Sequence, residues 1–189
     1  MIKKDVSVQA GIDAISLLNE HNIITETSFI LGFPHETKES VERTLRLSKI
    51  YNPDFAHYLA LAPWPYADMY NDLEPFVVSK DYRKYNLIDP VIKPVNMTVE
   101  DIDWSIINCY RVFYMGKLKE VMNVKDPFKR DYMLRSMQLI MSSSFITKKL
   151  GTLGKMPPEM AAAIDAIAAA HPLSRAQVSP HAGHQPNQQ

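Results

Sequence analysis

Ser28-Phe29-Ile30-Leu31-Gly32-Phe33-Pro34-His35-Glu36-Thr37 is the stretch that decides how this 189-residue chain folds. Its first residues favour a strand, Gly32-Phe33-Pro34 breaks it, and Thr37 can cap a following helix. Further on, Ala62-Pro63-Trp64-Pro65-Tyr66-Ala67-Asp68 repeats the plan, an apolar strand handing over to a proline-rich turn and then to polar residues. Each is a βα unit. In parallel α/β folds the turn at the carboxyl end of a strand is where ligands sit. Two such turns at this spacing predict neighbouring parallel strands presenting one shared site.

Working outward, the spacing of Ala10, Ala14, Leu17 and Leu18 predicts a helix from Ser7 to His21, with Asn22 as its stop. A strand is expected from Ile23 to Leu31, a helix from Thr37 to Tyr51 turning Val41, Leu45 and Ser48 inward, and a nearly all-apolar strand from Phe55 to Ala62. From Pro63 to Pro94 prolines and aromatics alternate. Trp64, Tyr66, Tyr70, Phe76, Tyr82 and Tyr85 need something to pack against, so this is read as an ordered connector. Thr98 and Asp101 have capping-box spacing, ahead of an apolar stripe of Val99, Ile102, Ile106, Cys109, Tyr110 and Phe113. Asp126-Pro127 starts another helix, with Phe128, Met133, Met137, Ile140 and Met141 on its apolar side. A short helix from Pro157 to Ala170 and a disordered polar tail from His171 complete the reading.

Composition narrows the function classes. Lys+Arg and Asp+Glu balance at 21 each, so the basic excess of a nucleic-acid-binding domain is absent. The single cysteine, Cys109, rules out a disulfide framework or a self-contained cysteine-ligated metal centre within the chain. No signal peptide is visible, and no run approaches the roughly 18 apolar residues of a membrane span. A soluble, cytoplasmic protein is expected. Two parallel strands bury too little to stand as a sheet, and Tyr58-Leu59-Ala60-Leu61-Ala62 would be an exposed apolar edge. The chain therefore reads as part of something larger.

The order Ser28 to Thr37, helix, Asn52-Pro53-Asp54, then Ala62-Pro63-Trp64-Pro65-Tyr66, resembles the last two barrel strands of radical S-adenosylmethionine enzymes, in particular those with an N-terminal cobalamin-binding domain. Leu59 to Tyr70 is most similar to members that build the fifth ring of bacteriochlorophyll on a porphyrin ester, with oxygen from water. Tyr82-x-x-Tyr85-Asn86-Leu87 and Asn108-Cys109-Tyr110-Arg111-x-Phe113-Tyr114 are similar to their helical C-terminal region. The resemblance covers about Lys3 to Pro157. It implies an α/β chain: the last two βα units of a partial, TIM-like barrel over 1–70, a connector over 71–97, a helical region over 98–170 and a disordered tail over 171–189.

The resemblance also implies S-adenosylmethionine, a [4Fe-4S] cluster and cobalamin as cofactors of the whole enzyme, and an electron-donor protein as partner. The cluster motif Cys-x-x-x-Cys-x-x-Cys is absent, so the cluster, the cobalamin domain and the first part of the barrel would lie outside this chain, which alone would be inactive. Ile30, Gly32 and Glu36 would face the adenine and ribose of S-adenosylmethionine, although Ser28 stands where the family pattern has glycine and Glu36 falls one residue late. Ala62 and Pro63 would wall the cofactor site. His35, Trp64 and Tyr66 would line the pocket of a porphyrin-type substrate, the aromatic faces stacking on a flat macrocycle.

Plainer roles are weighed beside these. Glu36 or Thr37 can simply cap a helix, the rim aromatics can lock a connector, and His57 can be a hydrogen-bonded core histidine. The tail histidines His171, His181 and His184 can bind metal only weakly. Cys109 reads as a buried structural thiol. Arg111, Lys117, Lys119, Lys129, Arg130 and Arg135 read as a solvated face. Two alternatives remain open: a cobalamin-type methyltransferase or hopanoid-modifying relative, and a non-catalytic helical module completing another protein's sheet.

Overall fold

The computed structural model describes residues 6–143 and the isolated positions 149, 162, 165, 166 and 169. The expected helix over 157–170 lies largely outside the described residues, and the tail from 171 lies wholly outside them. The elements run α1 (Val8–Glu20), β1 (Glu26–Leu31), α2 (Lys38–Tyr51), β2 (Phe55–Ala60), a one-turn α3 (Tyr70–Leu73), α4 (Val99–Val121) and α5 (Pro127–Ser143). β1 and β2 pair in parallel, Glu26 opposite Phe55 through Leu31 opposite Ala60. The α/β class and the parallel pair match the expectation; among the described residues the sheet has these two strands only.

Local chemistry sets the boundaries. Asn22 and Asn52 both take left-handed backbone, φ 57° and 49°, ending α1 and α2. Thr37 caps α2 through Ser40, and Thr98 caps α4 through Asp101, each as a reciprocal box. Asp126 accepts the Lys129 N–H at 2.7 Å at the start of α5, with Pro127 as first helical residue. The strands are shorter than expected: Ile23 to Thr25 and Leu61 to Ala62 lie outside them. Thr25 is drawn away from a ladder by Asp54, whose Oδ2 accepts its N–H at 2.8 Å.

Strand alternation sorts the sheet into two faces. Thr27, Phe29 and Leu31 share one with Ala56, Tyr58 and Ala60, which α2 and α4 cover. Tyr58 is the hub of this core. Its ring stacks on Phe29 at 5.7 Å and meets the edges of Tyr110 and Phe113 at 5.3 and 6.3 Å. Its hydroxyl lies 2.6 Å from Ser48 Oγ on α2. The other face carries Glu26, Ser28 and Ile30 exposed, beside the half-buried His57 and Leu59. At its foot Phe55 is covered by Tyr132 of α5.

The apolar strand β2 is not an open edge, contrary to expectation. Tyr114 Oη accepts the Ala56 N–H at 3.3 Å and donates to the Ala56 carbonyl at 3.1 Å. The Tyr58 backbone hydrogen-bonds to the Tyr110 hydroxyl one helical turn away, and the Ala60 N–H donates to the Leu87 carbonyl at 2.8 Å. The outward backbone of β2 is thus satisfied by side chains and a loop where another strand would otherwise pair.

Several residues sit differently from their expected places. Lys117 and Lys129 are not on a solvated face: each is 5% exposed. Lys129 Nζ lies 2.9 Å from Asp54 Oδ2 and donates to the Ile23 carbonyl at 3.1 Å. Lys117 bonds Asn52 Oδ1, pairs with Glu120 at 2.8 Å and lies 5.5 Å from the Phe113 ring centre. Phe128 is 75% exposed although the stripe places it inward, and Leu17 and Leu18 are exposed while Ile15 carries the buried side of α1. Tyr66 and Tyr82 of the connector are largely exposed, each meeting one other ring, that of Trp64 and that of Tyr85.

Candidate functional site

Because the strands are parallel, the turns following Leu31 and Ala60 emerge at one end of the sheet, joined by the Leu61 N–H donating to the Leu31 carbonyl at 2.8 Å. A second apolar cluster sits under this rim: Leu61, Ala62, Leu73, Tyr85, Val91 and Ile92, with Phe33, Trp64, Met69 and Phe76 packed against it. The connector is held there by a bridge between Val77 and Ile92 and by the Val95 N–H donating to the Pro34 carbonyl at 2.9 Å. The two turns therefore form one rim.

Gly32 is buried with φ +93°, a conformation that side-chain-bearing residues rarely adopt. Its Cα faces Ile102 of α4; a Cβ there would lie 3.5 Å from Ile102 Cγ2, so backbone shape rather than crowding requires the glycine. The Gly32 N–H donates to Glu36 Oε2 at 3.2 Å, and Glu36 Oε1 accepts from the Ser40 hydroxyl. Glu36 is buried and closes the turn on itself. Both the Gly32 N–H and the Glu36 carboxylate are engaged within the turn, and it is Thr37 that caps α2. Ile30 is partly exposed on the open face of the sheet, while Ala62 and Pro63 are buried at the end of β2.

Trp64 is half-buried and Tyr66 is 83% exposed, their rings 9° from parallel with centroids 6.4 Å apart. His35 is exposed, with its ring edge-on to Phe76 at 6.4 Å and 71°. It borders a cavity of about 250 Å³ lined by Pro34, Met69, Asp72, Leu73 and Phe76 as well. The sequence reading missed Asp72 and Met69. They come to the rim on the single turn of α3, too short for periodicity to mark. On the open face His57 Nε2 lies 2.6 Å from Glu26 Oε1, a polar contact across the strands rather than one in the core.

Cys109 faces the core from α4, and burial pushes its thiol up to about 12, the carboxylate of Glu36 adding to the rise. A buried, protonated thiol of this kind is a packing group. A cysteine-ligated [4Fe-4S] cluster does not fit the residues present, since one cysteine supplies neither the number nor the position of the thiolates it needs. Among the described residues no three His, Cys, Asp or Glu side chains are grouped to hold a metal ion, and no helix is long and apolar enough to cross a membrane.

In sequence the chain is similar to proteins named as enzymes. More particularly, it is 32% identical over 162 residues to the anaerobic magnesium-protoporphyrin IX monomethyl ester cyclase of Rubrivivax gelatinosus, and 38% identical over 117 residues to the protein of the same name from Cereibacter sphaeroides. These alignments take in 84% and 62% of the chain. An uncharacterized methyltransferase of Pyrococcus horikoshii is 32% identical over 130 residues, 68% of the chain. The chain spans only 29%, 19% and 28% of the lengths of these relatives. No family model matches it, and no solved structure matches it. The resemblance to the cyclase read from Leu59–Tyr70 and the helical region is thereby borne out.

Proposed function

We propose that this chain is the carboxyl-terminal part of the catalytic body of an anaerobic magnesium-protoporphyrin IX monomethyl ester cyclase, with the Trp64–Tyr66 rim forming one wall of the macrocycle site. The observation that carries the reading is the likeness to two proteins of that name, together with a rim on which the Tyr66 ring stands open to solvent, parallel to the half-buried Trp64 ring. A porphyrin is broad, flat and apolar, and aromatic faces are the surface it stacks on. Ala62 and Pro63 back this wall, and Ile30, with Gly32 and Glu36 shaping the turn, borders the side on which a cofactor would lie.

The other edge of β1, which pairs with no strand among the described residues, supports a place beside further strands of a radical S-adenosylmethionine barrel, and the sheet face carrying Glu26, Ser28, Ile30, His57 and Leu59 would then turn to its interior. In this reading the cluster, cobalamin and the contacts for an electron donor are held by that remainder, because the single buried cysteine here cannot supply the cluster's ligands. When present, they supply the radical chemistry; this chain's residues bind and orient the macrocycle. The Pyrococcus relative favours a second reading, a methyltransferase built on the same body.

The test is titration of the 189-residue chain with magnesium protoporphyrin IX monomethyl ester, followed by its visible absorption band. Saturable binding weakened roughly tenfold by Trp64→Ala or Tyr66→Ala supports the proposal. No binding, or equal binding by both variants, overturns it.

A further inference from the structure

A resident metal ion needs several protein ligands, and the described residues offer no such group. A metal already seated in a porphyrin is different. The pyrrole nitrogens fill its equatorial plane, and it asks the protein for a single nitrogen or oxygen along the axis. The rim has one imidazole with the properties this requires. His35 is exposed, follows directly on Pro34 in the turn after β1, and makes no hydrogen bond among the described residues that would occupy its ring nitrogens. On one side its ring meets the Phe76 ring edge-on, with centroids 6.4 Å apart. The cavity beside it is walled by Pro34, Met69, Leu73 and Phe76, with one further polar group, the carboxylate of Asp72.

We infer that His35 is the axial ligand to the central metal of a metalloporphyrin lying on this rim. The inference rests on the macrocycle reading given above and adds to it how the site distinguishes a metallated ring from an empty one. The Trp64–Tyr66 wall supplies area to any porphyrin. His35 rewards only one that carries a metal.

The experiment compares magnesium protoporphyrin IX monomethyl ester with its metal-free form on the native chain and on His35→Ala, reading affinity and the position of the main absorption band. The expected result is a preference of at least about tenfold for the metallated ring in the native chain, with a band shift typical of one axial nitrogen. In His35→Ala the preference and shift disappear, and added imidazole restores the shift. No metal preference in the native chain, or an undiminished one in His35→Ala, overturns the inference and leaves the macrocycle reading standing. Failure of both rings to bind the native chain overturns the reading itself. His35 is on the surface, so its variant tests binding without threatening the fold.

Discussion

Tyr114 bonds both polar backbone atoms of Ala56, 58 positions earlier in the chain, accepting its N–H and donating to its carbonyl. One phenol thereby does for β2 what a neighbouring strand's peptide groups would do. With Tyr110 beside it on α4, the outward side of β2 is closed to further pairing, while β1 pairs with nothing but β2 among the described residues.

Tyr114→Phe keeps the ring and its packing but leaves the buried N–H and C=O of Ala56 without partners. An unsatisfied buried group costs about 1–3 kcal/mol, so for the two groups a loss of roughly 2–6 kcal/mol is expected in urea denaturation. Tyr82→Phe, on an exposed ring, serves as the control and is expected to change stability by less than about 0.5 kcal/mol. Combining Tyr110→Phe with Tyr114→Phe is expected to increase self-association in size-exclusion chromatography, because the edge is then unguarded.

Lys129 and Asp54 are an ion pair with both side chains buried. Lys129→Met removes one charge and leaves the other in the interior, an expected cost of about 3–5 kcal/mol. Asp54 keeps the Thr25 N–H, at 2.8 Å, in that variant. Lys129→Met combined with Asp54→Asn is therefore expected to be more stable than Lys129→Met alone. Urea midpoints of the three proteins check this, and a double variant no better than the single would sink it.

Alkaline pH acts through the core. An ordinary cysteine titrates near 9.0 and an ordinary tyrosine near 10.0, whereas burial pushes Cys109 and Tyr110 up to about 12 and raises Tyr58 and Tyr114 further still. Between the ordinary and the raised values the unfolded chain has lost protons that the folded chain keeps. The stability these groups contribute is thus fully present below about pH 9 and is lost as pH rises toward 12, at about 1.4 kcal/mol per pH unit for each group in that window. Urea midpoints measured from about pH 8 to pH 11 are expected to fall steadily. Tyrosinate absorbance should then rise together with unfolding; rings that ionise in the folded chain would contradict the burial.

Gly32→Ala places a side chain on backbone at φ +93°. The nearest atom is an ordinary contact away, so the cost is conformational, about 1–3 kcal/mol. The variant should fold with a lower midpoint and a weakened Gly32–Glu36 hydrogen bond, seen as faster amide exchange at residue 32.

Much of this was legible in the chain because it is written locally. Thr37, Thr98 and Asp126 lie a fixed distance before the helices they cap, Asn22 and Asn52 sit where left-handed backbone is needed, and the strand–turn–helix order of 28–37 carries its own breakers. The buried lysines were not legible. Lys117 and Lys129 look like any cation on a polar helix until Asn52 and Asp54 are brought beneath them by the fold. The edge closure was equally hidden: Tyr110 and Tyr114 fall on an apolar stripe, and nothing in their spacing tells a packing ring from one whose hydroxyl serves a distant backbone. At the rim, Trp64, Tyr66 and His35 stood out by residue type, whereas Asp72 and Met69 reach it only through the single turn of α3.

Lys129 donates to the Ile23 carbonyl and to Asn19 Oδ1, groups 106 and 110 positions before it. On the ribosome those early residues must wait for it. At about 5–20 residues per second the delay is on the order of 5–20 s, during which the foot of β2 carries Asp54 without its cation. The sheet can begin to pair in that interval, but its lower end is locked only when Lys129 of α5 arrives.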